Sequence, residues 1–299
     1  MSLAGKSRTN RNFVCIRAAA AIFLLLPLAA AAQFQPAGEI LKQMDAQGCA
    51  TLESRIQVCK DDFEDNGKAV EAISFRPSGD GPFPGVLLIP GHQHTARDLV
   101  PLGTRLAREG FAGVAVSQPG YGKSKGPPDF VGPKTIAVLS AAYQRLRQQN
   151  YVDPSRMGIY GYSRGGMAAS LLAVQLDGLK AAVFGAGIYD FQKAYDEVTL
   201  PGIRENMRSE AGMTKKAIAE RSSILRMENL KCPVLILHGG RDINVPVSQA
   251  LLLQDRLTQL HKEFEIKLFP DREHSIGPEV SDLTVDFFRR KLKNSGESN

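Results

Sequence analysis

A short apolar run, Met157-Gly158-Ile159-Tyr160, stops on Gly161-Tyr162-Ser163-Arg164-Gly165-Gly166. No other stretch constrains the local fold as strongly. A strand that ends on Gly-x-Ser-x-Gly feeds a tight turn into a helix. The serine sits at the strained apex, and glycines flank it because side chains would collide with neighbouring backbone. Ser163 is therefore a candidate nucleophile. An ordinary glycine turn would look the same in isolation, so the reading depends on whether the chain also supplies a base and an acid.

The surrounding pattern sets the fold class. After Gly67, short apolar runs alternate with amphipathic stretches. Strands are expected at residues 70–75, 86–89, 113–116, 157–160, 181–184, 234–237 and 264–269. The run Val86-Leu87-Leu88-Ile89 is apolar throughout, the mark of a strand covered on both faces, whereas residues 264–269 alternate apolar and charged as an outer strand does. Helical stripes fall between them: Leu99, Leu102 and Leu106 with Gly110 as a cap; Ile136, Leu139, Tyr143 and Leu146 behind Pro133; Ala250, Leu253, Leu257 and Leu260; and Val280, Leu283 and Phe287. The expectation is an α/β fold: a mostly parallel open sheet with helices on both faces, joined by right-handed crossovers. Residues 191–229 are polar, charged and without strand signal, and read as a small helical cap insertion that could cover the site. Functional residues belong at the carboxyl ends of the strands.

The first 32 residues stand apart. Lys6, Arg8, Arg11 and Arg17 precede an uncharged stretch, residues 18–32, that ends on Ala30-Ala31-Ala32. This is the anatomy of a secretory signal peptide cleaved near Ala32. The stretch is short for a membrane span, which needs roughly 20 residues. Gln33, not a cysteine, stands directly after the cleavage point, and no twin arginine precedes it. Export to the periplasm or beyond is expected, with no stable membrane association after cleavage. Cleavage takes four of the 37 basic residues and none of the 31 acidic ones, so the mature balance is +2. The basic character lies mostly in the leader, and no nucleic-acid partner is read from it. The remaining 267 residues suit one domain with a full core, over residues 68–299, behind an extension at 33–67. Cys49 and Cys59 lie outside the strand-like segments, and in an oxidising compartment they are expected to pair. Cys232, at the mouth of an apolar run, reads as a buried, inert thiol.

A serine hydroxyl is a weak nucleophile until an imidazole takes its proton. The candidates after the leader are His92, His94, His238, His261 and His274. His261 lies in a helix tail and reads as a surface residue. His238 ends a strand before Gly239-Gly240, where packing or turn formation explains it. His274 follows the last strand on a loop that the sheet brings towards Ser163, and is the expected general base. The imidazole needs a carboxylate to fix its tautomer. Asp242, in Gly239-Gly240-Arg241-Asp242, follows the strand ending at Leu237, with Asp190 and Asp271 as competitors. An oxyanion hole needs two backbone N–H groups: one from Arg164, the other from His92 or Gln93 in the turn after Ile89. His92 and His94 suggest a metal site, but no third ligand has matching spacing, so no metal or cofactor is expected. Gly122-Lys123-Ser124 mimics the end of a phosphate-binding loop, yet Ser117 stands where that motif requires glycine. The loop at 118–128 is expected instead to shape the pocket rim, with Tyr121 facing substrate and Tyr162 lining the pocket.

At these residues the chain resembles the α/β-hydrolase superfamily, and within it the prolyl-oligopeptidase and dienelactone-hydrolase-like branch. The likeness extends over residues 70–292. It rests on Phe83-Pro84-Gly85-Val86, on the Ser163 motif, and above all on Cys232-Pro233-Val234-Leu235-Ile236-Leu237-His238-Gly239-Gly240-Arg241-Asp242 with Val245-Pro246. It implies a Ser-Asp-His hydrolase and carries nucleophile, acid and base onto Ser163, Asp242 and His274, which occur in the order expected of that superfamily. Serine stands here where dienelactone hydrolases carry cysteine, and a short N-terminal segment stands where prolyl oligopeptidases carry a propeller. The leading expectation is an exported hydrolase of carboxylic esters. The alternatives are a small-peptide hydrolase on the same triad and, from another class, a non-catalytic binding protein that retains the fold.

Overall fold

The computed structural model describes residues 36–293. The signal peptide expected over residues 1–32 lies outside the described residues. Helix α1 (Ala37–Gln47) leads into a hairpin of β1 (Cys49–Leu52) and β2 (Ile56–Lys60). A small ribbon of β3 (Phe63–Asp65) and β4 (Lys68–Val70) follows, then β5 (Ala72–Pro77) and β6 (Phe83–Ile89). From there helices and strands alternate: α2 (Val100–Arg108), β7 (Ala112–Val116), α3 (Pro133–Arg147), β8 (Val152–Tyr162), α4 (Arg164–Ala173) and β9 (Leu179–Gly185). Three short helices, α5 (Phe191–Glu197), α6 (Pro201–Asn206) and α7 (Lys215–Arg221), occupy the expected insertion. The chain closes with β10 (Val234–Gly239), α8 (Ser248–Gln259), β11 (Phe264–Phe269) and α9 (Glu279–Phe288).

Nine strands form one sheet in the order β1-β2-β5-β7-β6-β8-β9-β10-β11. The run from β7 to β11 is parallel, while β1, β2 and β5 pair antiparallel at the other edge. Alternate residues of the central strands feed two separate cores. Leu87, Ile89, Val234 and Ile236 join the stripes of α3, α4 and α8 on one face. Val86, Leu88, Leu235 and Leu237 join those of α1, α2 and α9 on the other. Both faces are thus covered by helices, which explains why these strands read as unbroken apolar runs. The fold is the α/β-hydrolase architecture that the sequence implied.

Two expectations need correction at the antiparallel edge. The strand expected at 70–75 is divided at Glu71, because Val70 pairs with Phe63 in the ribbon whereas β5 begins at Ala72. Glu71 is buried between them, its carboxylate accepting from Ser117 Oγ at 2.7 Å. Cys49 and Cys59 do not lie outside the strands. They stand directly opposite each other on β1 and β2 and form a disulfide. The two strands escaped the sequence reading because they are only four and five residues long, with inward Ala50, Leu52, Ile56 and Val58 spaced by exposed or half-buried neighbours.

Candidate active site

The turn between β8 and α4 is tight because the chain leaves no room for side chains around it. A Cβ on Gly161 would lie 1.9 Å from the Gly165 oxygen, and one on Gly165 would lie 2.2 Å from the Ile89 oxygen. Between them Ser163 adopts φ 56°, ψ −121°, a left-handed conformation that costs a non-glycine residue about 1–3 kcal/mol. Backbone bonds hold it there: Ser163 N–H donates to the Gly185 oxygen at 2.7 Å, and Met167 N–H donates to the Ser163 oxygen at 3.1 Å. The hydroxyl is thereby presented at the carboxyl edge of the sheet.

Asp242 and His274 stand on the loops after β10 and β11, which are parallel neighbours. Gly240 N–H donates to the Phe269 oxygen at 2.8 Å and Arg241 N–H to the Arg272 oxygen at 2.9 Å, so the two loops are joined before either side chain is considered. His274 Nδ1 then meets Asp242 Oδ2 at 2.7 Å, and His274 Nε2 meets Ser163 Oγ at 2.8 Å. With Nδ1–H donating to the carboxylate, Nε2 is left as the acceptor for the serine proton. Burial opposes the charge on Asp242. Hydrogen bonds from His238 and His274, the charge of His274 and the Val245 amide outweigh it and hold the carboxyl down at about 2. Asn244 N–H also donates to Oδ1, at 2.9 Å. Tyr162 braces the base from below, its hydroxyl donating to the His274 backbone oxygen at 2.5 Å.

The competitors have other employment. His238 is fully buried, with Nε2 donating to the Val245 oxygen at 2.9 Å and lying 3.4 Å from Asp242 Oδ2, so it packs behind the carboxylate. Asp190 caps α5 by accepting from Lys193 N–H. Asp271 pairs with Arg241 on the surface, and His261 is exposed. Cys232 is buried, which pushes its thiol up to about 12.

Ser163 opens into a cavity of about 730 Å³ whose apolar lining includes Leu99, Phe130, Met167, Ile188, Leu200 and Ile203. Leu200, Ile203 and Asn206 come from the insertion, which therefore contributes one wall. The turn after β6 sits against the nucleophile: a Cβ on Gly91 would lie 3.3 Å from Ser163 Cβ. His92 and Gln93 line the cavity beside it, with Gln93 at φ 61°. His94 faces Asp98 at 3.4 Å instead of joining His92 in a ligand set. Among the described residues no group of three or more His, Cys, Asp or Glu is arranged to hold a metal ion.

Tyr121, expected to face substrate, does not line the cavity. Its hydroxyl is engaged by Arg164 Nη1 at 2.7 Å and by His92 Nδ1 at 2.9 Å. Arg164 itself is buried and bidentate on Glu210, with Nη1–Oε2 at 2.7 Å and Nη2–Oε1 at 3.2 Å, while its guanidinium lies 4.3 Å from the Phe130 ring centre. Glu210 also accepts from Phe130 N–H at 3.1 Å. Phe130 and Val131 are consecutive left-handed residues, φ 45° and 58°. Arg221 clamps that loop, donating to the carbonyls of Asp129 at 2.6 Å and Phe130 at 3.0 Å. Burial, and next the Arg164 charge, hold His92 below the ordinary imidazole value. Sequence reading missed Glu210, Phe130 and Asn206. The one available signal was Arg164 itself, a cation in a buried elbow that demands a carboxylate partner.

Residues 132–295 match the model of the prolyl oligopeptidase family. The chain is 28% identical over 235 residues to the uncharacterized peptidase YtmA of Bacillus subtilis strain 168, which covers 77% of this chain and 90% of YtmA. Its fold is similar to that of Pyrococcus horikoshii acylaminoacyl peptidase, with TM-score 0.69 and 21% identity over 82% of this chain. That match takes in 43% of the longer enzyme, so the chain spans less than half of it. It is also similar to a Klebsiella pneumoniae protein assigned to the dienelactone hydrolases, with TM-score 0.61, 20% identity and 99% of that chain covered. At these identities the two solved structures bear on the fold alone.

Proposed function

The chain belongs to the prolyl oligopeptidase family, and from that premise we propose that it is an exported serine hydrolase that cleaves carboxylic esters of neutral, largely apolar acyl groups. The observation that carries this reading is the unbroken chain of contacts from Asp242 through His274 to Ser163, at 2.7 and 2.8 Å, opening on a mostly apolar cavity. In the reaction His274 Nε2 takes the Ser163 proton as Oγ bonds to the acyl carbon. Asp242 stabilises the imidazolium, and the amides of Arg164 and of His92 or Gln93 receive the developing oxyanion. The carbon–oxygen bond to the alcohol then breaks, and the alcohol leaves with the proton from His274. Water, deprotonated by the same imidazole, attacks the acyl-enzyme and releases the acid.

The charge of the cavity favours esters or blocked acyl groups over a free amino terminus. Asp98 is the only carboxylate among the lining residues described; it is half exposed and already accepts from Thr95 N–H at 2.7 Å and Thr95 Oγ at 3.0 Å. Glu210 is spent on Arg164. A second reading, hydrolysis of short peptides on the same triad, is favoured by the peptidase name of the YtmA relative. Export is supported by the Cys49–Cys59 disulfide, which suits an oxidising compartment. Ser163→Ala should lower ester turnover by about 10⁴–10⁶-fold with the melting curve unchanged. Full activity in that variant would remove the reading. A series of p-nitrophenyl esters compared with aminoacyl p-nitroanilides separates the two substrates, and faster turnover of the free-amine anilides would favour the peptidase.

A further inference from the structure

The side chain of His92 carries more than its backbone neighbours require. Resting on the serine hydrolase reading, we propose that His92 is a substrate-binding donor, locked as the neutral Nε2–H tautomer and offering that N–H to a second carbonyl oxygen on the acyl group, beyond the scissile one. Such an oxygen is found in N-acylaminoacyl groups.

The tautomer follows from counting protons. The Arg164 guanidinium has only donors and never loses its charge. Its Nη1 is 2.7 Å from the Tyr121 hydroxyl, so the phenol oxygen accepts there. A phenol has one proton, and its other close polar neighbour is His92 Nδ1 at 2.9 Å. The arrangement that gives every one of these protons a protein partner aims the phenol proton at Nδ1, which then carries its lone pair, and a neutral ring so arranged is protonated at Nε2. The opposite tautomer would aim two donors at one phenol oxygen and leave the phenol proton with no protein acceptor among the described residues. Burial and the Arg164 charge keep the ring neutral near pH 7.

The Nε2 end of the ring, away from Tyr121, is where substrate would be met. His92 and Asn206 both line the cavity, and the Asn206 carboxamide nitrogen lies 3.4 Å from Nε2. At that length the contact is weak, and a half-turn of the amide presents its oxygen instead. A substrate carbonyl can displace it. The Arg164 charge is meanwhile withheld from substrate by Glu210 and the Phe130 ring. Tyr121 acts through His92 and is a positioning residue.

The test uses the full protein labelled with ¹⁵N-histidine. Long-range ¹H–¹⁵N correlation spectra at pH 7, with His92 assigned from a His92→Phe variant, should show Nδ1 unprotonated and Nε2 protonated. In Tyr121→Phe the same ring should average between tautomers. Nδ1–H in the wild type, or an unchanged spectrum in Tyr121→Phe, overturns the proposal. In kinetics, His92→Phe should lower kcat/KM for the p-nitrophenyl ester of N-acetylalanine at least about tenfold more than it lowers that for p-nitrophenyl butyrate, and Tyr121→Phe should lower the same ratio by a smaller factor. Equal losses on both esters would overturn the donor role. The tautomer can be read whether or not any ester is turned over, so failure of the ester reading leaves that result standing.

Discussion

Ser163, Asp242 and His274 stand on short turns that directly follow β8, β10 and β11, whereas Phe130, Glu210 and Arg221 stand on segments with no sheet register behind them. The first group is held by backbone. Strand pairing, the crowded elbow and the amide contacts between the loops after β10 and β11 bring the three side chains together. The second group is held by side chains. Arg164 and Arg221 reach from the elbow and the insertion to tie down a strained loop and one wall of the cavity. The difference suggests a division of labour: the sheet fixes the chemistry, and buried ion pairs fix the shape of the pocket. The two should respond differently to substitution.

The largest effect should come from the sheet side. Asp242→Asn keeps an acceptor for the Asn244 and Val245 amides but removes the charge that orients His274. Turnover should fall by about 10⁴-fold, while stability near pH 7 falls by no more than the about 2 kcal/mol that the carboxylate's charge contributes. A comparable fall in thermal stability instead would mean that the triad is held by its own side chains, and the contrast with the insertion would collapse.

On the insertion side the loss should appear in stability. The Arg164 and Glu210 side chains are only 5% and 12% exposed. Glu210→Leu leaves the buried guanidinium without its carboxylate partner, which costs about 3–5 kcal/mol in denaturant melts. Pairing it with Arg164→Met should recover most of that. If the single change costs under about 1 kcal/mol, the ion pair does not hold the wall.

A smaller effect sharpens the picture at acid pH. The Asp242 carboxyl is held at about 2 in the folded protein, below the ordinary value of about 3.9 for an unfolded aspartate. Its contribution is therefore present above about pH 4 and is lost as pH falls through about 2, amounting to about 2 kcal/mol. Urea melts from pH 6 to pH 2 should show this loss in the wild type, and Asp242→Asn should lack that component. Parallel losses in the two proteins would contradict the assignment.

The same division governs how much could be read from the sequence. The parallel strands, the stripes of α2, α3, α8 and α9, and the triad were legible because backbone periodicity and strand ends create them. Strands β1 and β2 were not, since four or five residues with about half their side chains exposed or half-buried give too little alternation to detect. From sequence alone Tyr121 reads as facing substrate because it lies on the 118–128 loop expected to shape the pocket rim. Its capture by Arg164 and His92 is a tertiary fact with no local trace. Glu210 and the left-handed Phe130 and Val131 were invisible for the same reason, since each is stabilised by partners far away in sequence.

The most direct test is the site of covalent modification by a fluorophosphonate. Peptide mapping of the labelled wild-type protein should find one adduct, on Ser163, that disappears in Ser163→Ala and forms far more slowly in His274→Ala. An adduct on another residue, or undiminished labelling without the imidazole, would contradict the account.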